Sequence, residues 1–194
     1  MIRKPLKNSK MSIKMSASFD ISFAASASCE NATAILLRAS GDEGAAGQAH
    51  VDPAGVLEKA AKVAGFSAKS MSVLDVLTPQ GSEADRITVI GLGKATKLTA
   101  HDWLRAGGIA AANFKKAEKV VVYVDVPGLD VNGKTAADFA LGLLLRAYSF
   151  DAYKTKKSSD EEKKPKRVDV TIVTVAHEEA KKAFNAAQAV ADGV

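Results

Sequence analysis

Along this chain the spacing of apolar positions switches repeatedly between two residues and three to four, which predicts strands alternating with helices. Phe19, Ile21 and Phe23 alternate with Asp20 and Ser22, the pattern of a half-buried strand. After a polar turn at Cys29 to Asn31, residues 33–39 (TAILLRA) predict a second strand, apolar enough to be covered on both faces. The glycine-rich loop SGDEGAAGQAHVDP follows. In it Asp52 is placed to cap a helix over 53–64, with Pro53 at its first position and Gly65 as its stop.

Residues 71–77 (MSVLDVL) and 86–92 (RITVIGL) predict two more strands, separated by the turn-rich TPQGSEAD. Trp103, Leu104, Ile109, Ala112 and Phe114 carry helical spacing between Thr99 and Lys116, across Gly107 and Gly108, which weaken an isolated helix. KVVVYVDV (119–126) is continuous, β-branched and bounded by Pro127 and Gly128, the clearest strand in the chain. Thr135 and Asp138 have the spacing of a capping-box variant, opening a helix through Phe139, Leu143, Leu144 and Ala147. A last strand is predicted over 167–175 and a last helix over 178–193, with acidic residues in its first turn. This order predicts an α/β domain in three layers, with helices covering both faces of a mixed sheet, and no internal repeat.

The chain has 194 residues, 47% hydrophobic and 25% charged, which excludes disordered and fibrous classes and leaves room for one main core. The net charge of +5 is concentrated in MIRKPLKNSKMSIK and KTKKSSDEEKKPKR, and the rest is nearly balanced. A single cysteine, Cys29, excludes an intrachain disulfide and a thiolate zinc cluster, and fits a reducing cytoplasm. No apolar run approaches the ~20 residues of a membrane span. Met1, Met11 and Met15 leave several candidate starts, and residues 1–17 read as a tail or leader.

Few residues suggest chemistry. IGLGKAT (90–96) stands where a strand meets a helix, a place where backbone N–H groups can cradle phosphate. It lacks the third glycine of a dinucleotide fingerprint and the GK[ST] of a P-loop. It reads first as a structural turn, with Gly91, Gly93 and Lys94 as a weak anion or nucleotide alternative. His50, His101 and His177 show no short metal-ligand spacing, and read as surface or capping residues. Asp42, Glu43, Asp160, Glu161 and Glu162 fall in polar loops and read as solvated acids rather than a catalytic pair. Ser26, Ser28 and Cys29 form no nucleophile elbow. The lysine-rich segment offers Lys154, Lys156, Lys157, Lys163, Lys164, Lys166 and Arg167 as nucleic-acid contacts, against the simpler reading of a solvated loop.

Four blocks in order carry a resemblance: RITVIGLGK, WLRAGGIAAAN, KVVVYVDVPG and ADFALGLLLRAYSFDAYKTKK. Together they are similar to the N-terminal domain of the leucyl (cytosol) aminopeptidases of peptidase family M17. GLGK at 91–94 and YSFDAYKTKK at 148–157 are the most specific pieces. The resemblance implies a macro-domain-like module over 18–176. It also implies that 177–194 begin a helix leading to a C-terminal catalytic domain. It further implies, for the full-length parent, hydrolysis of N-terminal residues from peptides at two divalent metal ions (zinc, manganese or magnesium), a hexamer, and in some members DNA binding. The NTDAEGRL-type metal motif is absent from these residues, so the resemblance places no catalytic residue and no metal ligand in this chain, and it is expected to be inactive alone.

Overall fold

A computed structural model describes residues 19–41, 44–114, 117–152 and 167–192. Six strands form one sheet: β1 (Phe19–Ala24), β2 (Thr33–Ser40), β3 (Val73–Leu77), β4 (Arg86–Lys94), β5 (Lys119–Tyr123) and β6 (Val168–Val173). Their order is β1-β6-β5-β2-β4-β3, parallel throughout except for β3, which runs antiparallel to β4. The expected α/β architecture with a mixed, largely parallel sheet is therefore present. The interior strands explain it: β2, β4 and β5 are apolar on successive residues because both of their faces are covered.

Registration across the ladder puts Ile21, Val170, Val122, Ile35 and Thr88 on one face. Three helices cover that face: α3 (Ala100–Ala112), α4 (Gly133–Ala152) and α5 (His177–Asp192). Phe23 meets Phe184 of α5 with ring centroids 5.6 Å apart, and Phe19 meets Phe114 at 5.0 Å. α4 lies in the middle, with Phe139 and Leu143 fully buried. The other face is covered by α1 (Gln48–Val51), α2 (Val56–Ala64) and the crossover after β1, where Cys29 is buried.

Gly107, which weakens α3 as an isolated helix, and Gly142 of α4 are what let the two helices pack. A Cβ on Gly107 would lie 2.0 Å from the Phe139 carbonyl oxygen, and one on Gly142 would lie 1.9 Å from that of Leu104. The two helices thus meet backbone to backbone, a contact that any side chain would hold open.

Local details depart from the sequence expectations. Asp52 does cap a helix: it is buried and accepts the N–H groups of Val56 and Leu57, both at 2.9 Å. That helix starts at Val56, so Pro53 sits in the turn before it rather than at its first position. The capping box belongs to α3, where Thr99 and Asp102 satisfy each other's backbone N–H groups. Hydrogen bonding to Thr99 lowers the Asp102 carboxyl from its ordinary range. On α4 the cap is Asn132, whose Oδ1 accepts from the Thr135 N–H at 3.0 Å, while Asp138 pairs with Lys134 at 2.8 Å. Strand β5 ends at Tyr123 instead of Val126, because Asp125 turns to accept the Thr174 hydroxyl and the Val175 N–H, both at 2.7 Å.

Candidate functional site

In an open parallel sheet, ligands dock beyond the carboxyl ends of the strands where successive connections diverge. Here that point lies between β2 and β5, since β2 leads through β3 to β4 on one side and β4 returns to β5 on the other. The chain fills this crevice with its own residues. Ala46 is fully buried and donates its N–H to Leu37 O at 2.8 Å. Gly47 has φ +68°, and a Cβ there would lie 2.3 Å from the Tyr123 ring. The ring is buried, and its hydroxyl shares a 3.3 Å hydrogen bond with the Cys29 thiol and donates to Ala27 O at 3.4 Å. Burial pushes both groups' pKa values up, the Tyr123 hydroxyl strongly. These two groups pin the crossover to the sheet and are held protonated.

The GLGK residues form the end of β4. Gly91 N–H donates to Ser72 O at 2.8 Å and Gly93 N–H to Ala68 O at 2.9 Å. A Cβ on Gly91 would lie 2.4 Å from Lys69 O, so the glycine admits the 68–72 segment over the strand. Lys94 is exposed. The two glycine N–H groups are thus engaged by the main chain, and the loop carries no open cradle at those atoms.

The histidines stand apart: His50 is exposed on α1 with its ring 6.1 Å from Tyr123, His101 is in the first turn of α3, and His177 opens α5. His177 Nε2 lies 3.7 Å from Glu178 Oε1, while its Nδ1 is buried without a hydrogen bond. Among the described residues no three His, Cys, Asp or Glu side chains gather in a group that could hold a metal ion. They therefore do not fit a two-metal centre. Asp42, Glu43 and the 160–162 acids lie outside the described residues, as do Lys154, Lys156, Lys157, Lys163, Lys164 and Lys166. Arg167 is described, exposed, with Nη2 3.5 Å from Asp20 Oδ2. A shallow polar cleft of about 260 Å3 lies at the opposite, amino ends of the strands, lined by Asn31, Thr33, Asp85, Glu118 and Lys119. Its mixture of charges selects no chemistry. Among the described residues no helix is long and apolar enough to cross a membrane.

The sequence reading missed Tyr123 and Asp125, which organise the carboxyl ends of β5 and β6. A tyrosine and an aspartate interrupting an otherwise apolar run were the available signal.

Comparison with known proteins gives these geometries a context. Residues 26–157 match the profile described as the cytosol aminopeptidase family, N-terminal domain. A probable cytosol aminopeptidase of Agrobacterium fabrum is 68% identical over 181 residues, covering 93% of this chain and 36% of that relative. One from Rhizobium leguminosarum bv. trifolii is 58% identical over 180 residues with the same coverages. The chain thus spans about a third of the length of these curated relatives. Among solved structures, a variant of tomato leucine aminopeptidase superposes with a TM-score of 0.65 at 20% identity, over 90% of this chain and 36% of that one. A bottromycin maturation enzyme superposes at 0.56 and 19% identity, over 82% of this chain and 31% of that one.

Proposed function

This chain belongs to the cytosol aminopeptidase family, as its N-terminal domain, and from that premise we propose that it is the non-catalytic part of a longer metal-dependent leucyl aminopeptidase. In this reading it helps arrange the oligomer, a hexamer, and limits access to the catalytic domains. The hydrolysis itself, release of N-terminal residues from peptides in the cytoplasm, takes place at divalent ions held outside the matched region.

One observation carries the reading. The N-terminal profile accounts for 26–157, and the chain spans 36% of each relative, so nearly two thirds of those proteins is left to supply the metal ligands. The filled crevice at the carboxyl ends of β2 and β5 agrees with a domain whose work is done by surfaces. Assay of the purified chain on a leucyl chromogenic substrate with added manganese is expected to give no turnover. Metal-dependent activity from these residues alone would overturn the proposal.

The formal charge of +5 supports a second reading, in which the lysine-rich segment and Arg167 contact duplex DNA. Counterion release then makes affinity fall steeply with salt. A gel-shift titration that shows no complex even at low salt removes this reading.

A further inference from the structure

The sheet has two edges, β1 and β3. β1 carries Asp20 and Ser22 on its uncovered side, and α5 packs along it. β3 lies five strand spacings away, ~24 Å at the usual separation. It is covered on one face only. Leu74 is buried, whereas Val73 and Leu77, on the opposite face, are 39% and 59% exposed. β3 pairs with β4 through Leu74↔Val89 and Val76↔Ile87, and the bond from Thr78 N to Asp85 O closes one end of the ladder. By antiparallel alternation, Leu74 and Val76 direct their main-chain groups at β4, and Val73, Asp75 and Leu77 direct theirs outward. VLDVL contains no lysine, no proline and no bulge, the devices that usually blunt an edge.

Its one charge is already balanced. Asp75 Oδ1 accepts the Thr88 hydroxyl at 3.0 Å and lies 3.2 Å from Arg86 Nε. That Nε contact is an ion pair without hydrogen-bond alignment, since Nε is buried and makes no hydrogen bond.

We propose that β3 pairs with the β3 strand of a second copy of this chain, antiparallel and two-fold symmetric about Asp75. The segment is self-complementary in this register: Val73 of each copy faces Leu77 of the other, so both exposed apolar side chains are covered twice. The two Asp75 carboxylates meet at the axis, a like-charge opposition that works against the pairing and is reduced because Arg86 already neutralises each one within its own copy. A second copy fits better than the remainder of the same polypeptide, because any chain continuing beyond α5 leaves from the β1 side of the sheet. This inference stands apart from the catalytic reading above, which is tested by activity and survives if the pairing fails.

One strand per copy makes a small interface beside the ~1,600 Å2 of a standard complex, so association belongs at high protein concentration. Sedimentation velocity on the 194-residue chain is expected to show the 20.3 kDa species doubling in mass as concentration rises toward ~1 mM. Leu77→Lys, at an exposed site that leaves the fold intact by circular dichroism, is expected to raise the half-dimerisation concentration at least ~tenfold. Register is read independently by the double variant Val73→Cys, Leu77→Cys. Mild oxidation should link two copies of it efficiently, while Val73→Cys alone should not link, because in this register residue 73 faces 77 and never itself. Cys29 is buried and stays out of that reaction. A chain that stays monomeric, a dimer indifferent to Leu77→Lys, or single Val73→Cys linking as readily as the double variant overturns the proposal.

Discussion

On one face of the sheet α3 and α4 approach until Gly107 meets the Phe139 carbonyl and Gly142 meets that of Leu104; on the other face α1 and α2 bury only Val51, Leu57 and Ala61 and are pinned further by single polar contacts. Those pins are the Asp52 carboxylate under α2, the Arg38–Glu58 ion pair at 3.0 Å, Gln48 donating to Glu58 at 3.1 Å, and the Tyr123–Cys29 pair beneath the crossover. The difference is one of continuity. A close-packed helix pair transmits any added volume along its whole contact, whereas a pin fails alone and leaves its neighbours in place.

The largest effect should therefore come from the packed face. Phe139→Ala, emptying a fully buried site at the centre of α4, is expected to cost ~3–5 kcal/mol in urea unfolding. Next, Gly142→Ala should cost ~1–3 kcal/mol by forcing α3 and α4 apart. Its double variant with Gly107→Ala should be less than additive, since the first change has already separated the helices. If the two add independently, the contact is not continuous and the contrast between the faces collapses.

On the pinned face, Asp52→Ala is expected to cost ~1–2 kcal/mol by stranding one buried and one half-buried N–H group, and to speed amide exchange in α2 without touching α3 or α4. The Tyr123–Cys29 pin has a pH signature. Both groups titrate above their ordinary values of 10.0 and 9.0, so the unfolded chain ionises first as pH rises. Stability is fully present below about pH 9 and declines above it; Tyr123→Phe should flatten the part of that decline beyond pH ~10. A urea midpoint equally steep with pH in wild type and variant would show that the hydroxyl is not held as described. Smallest of all, Glu58→Gln should cost no more than ~0.5 kcal/mol, because Glu58 is more than half exposed.

The packed face was the more legible in sequence. Period-four spacing in α3 and α4 and continuous apolar runs in β2, β4 and β5 state burial directly, and those elements were placed within a few residues. Gly107 reads as a weakness, since sequence carries its propensity cost and not the helix that approaches it. The pinned face was harder, because a cap or a pin depends on where another segment arrives. In sequence Asp52 reads as a cap, but of a helix that begins three residues too early, and Thr135 and Asp138 have the cap spacing that Asn132 in fact fills. The GLGK turn shows the same limit: its glycines suggested a cradle, and only the arrival of 68–72 over β4 shows what occupies their N–H groups.

β1 carries one more consequence. Its ladder partner is β6 alone, 149 residues further along, and Phe23 rests on Phe184 of the helix after that. β1 can therefore be seated only when nearly the whole domain has followed it. At ordinary elongation rates that interval is about 10–30 s, long beside the time in which local helices form. In its last part, once β5 has been made and until β6 follows it, β5 presents an open edge to anything that can pair with it. The placement of β1 thus makes completion of this fold a matter of synthesis time, and makes the newborn chain, more than the finished one, the form that needs protection from its neighbours.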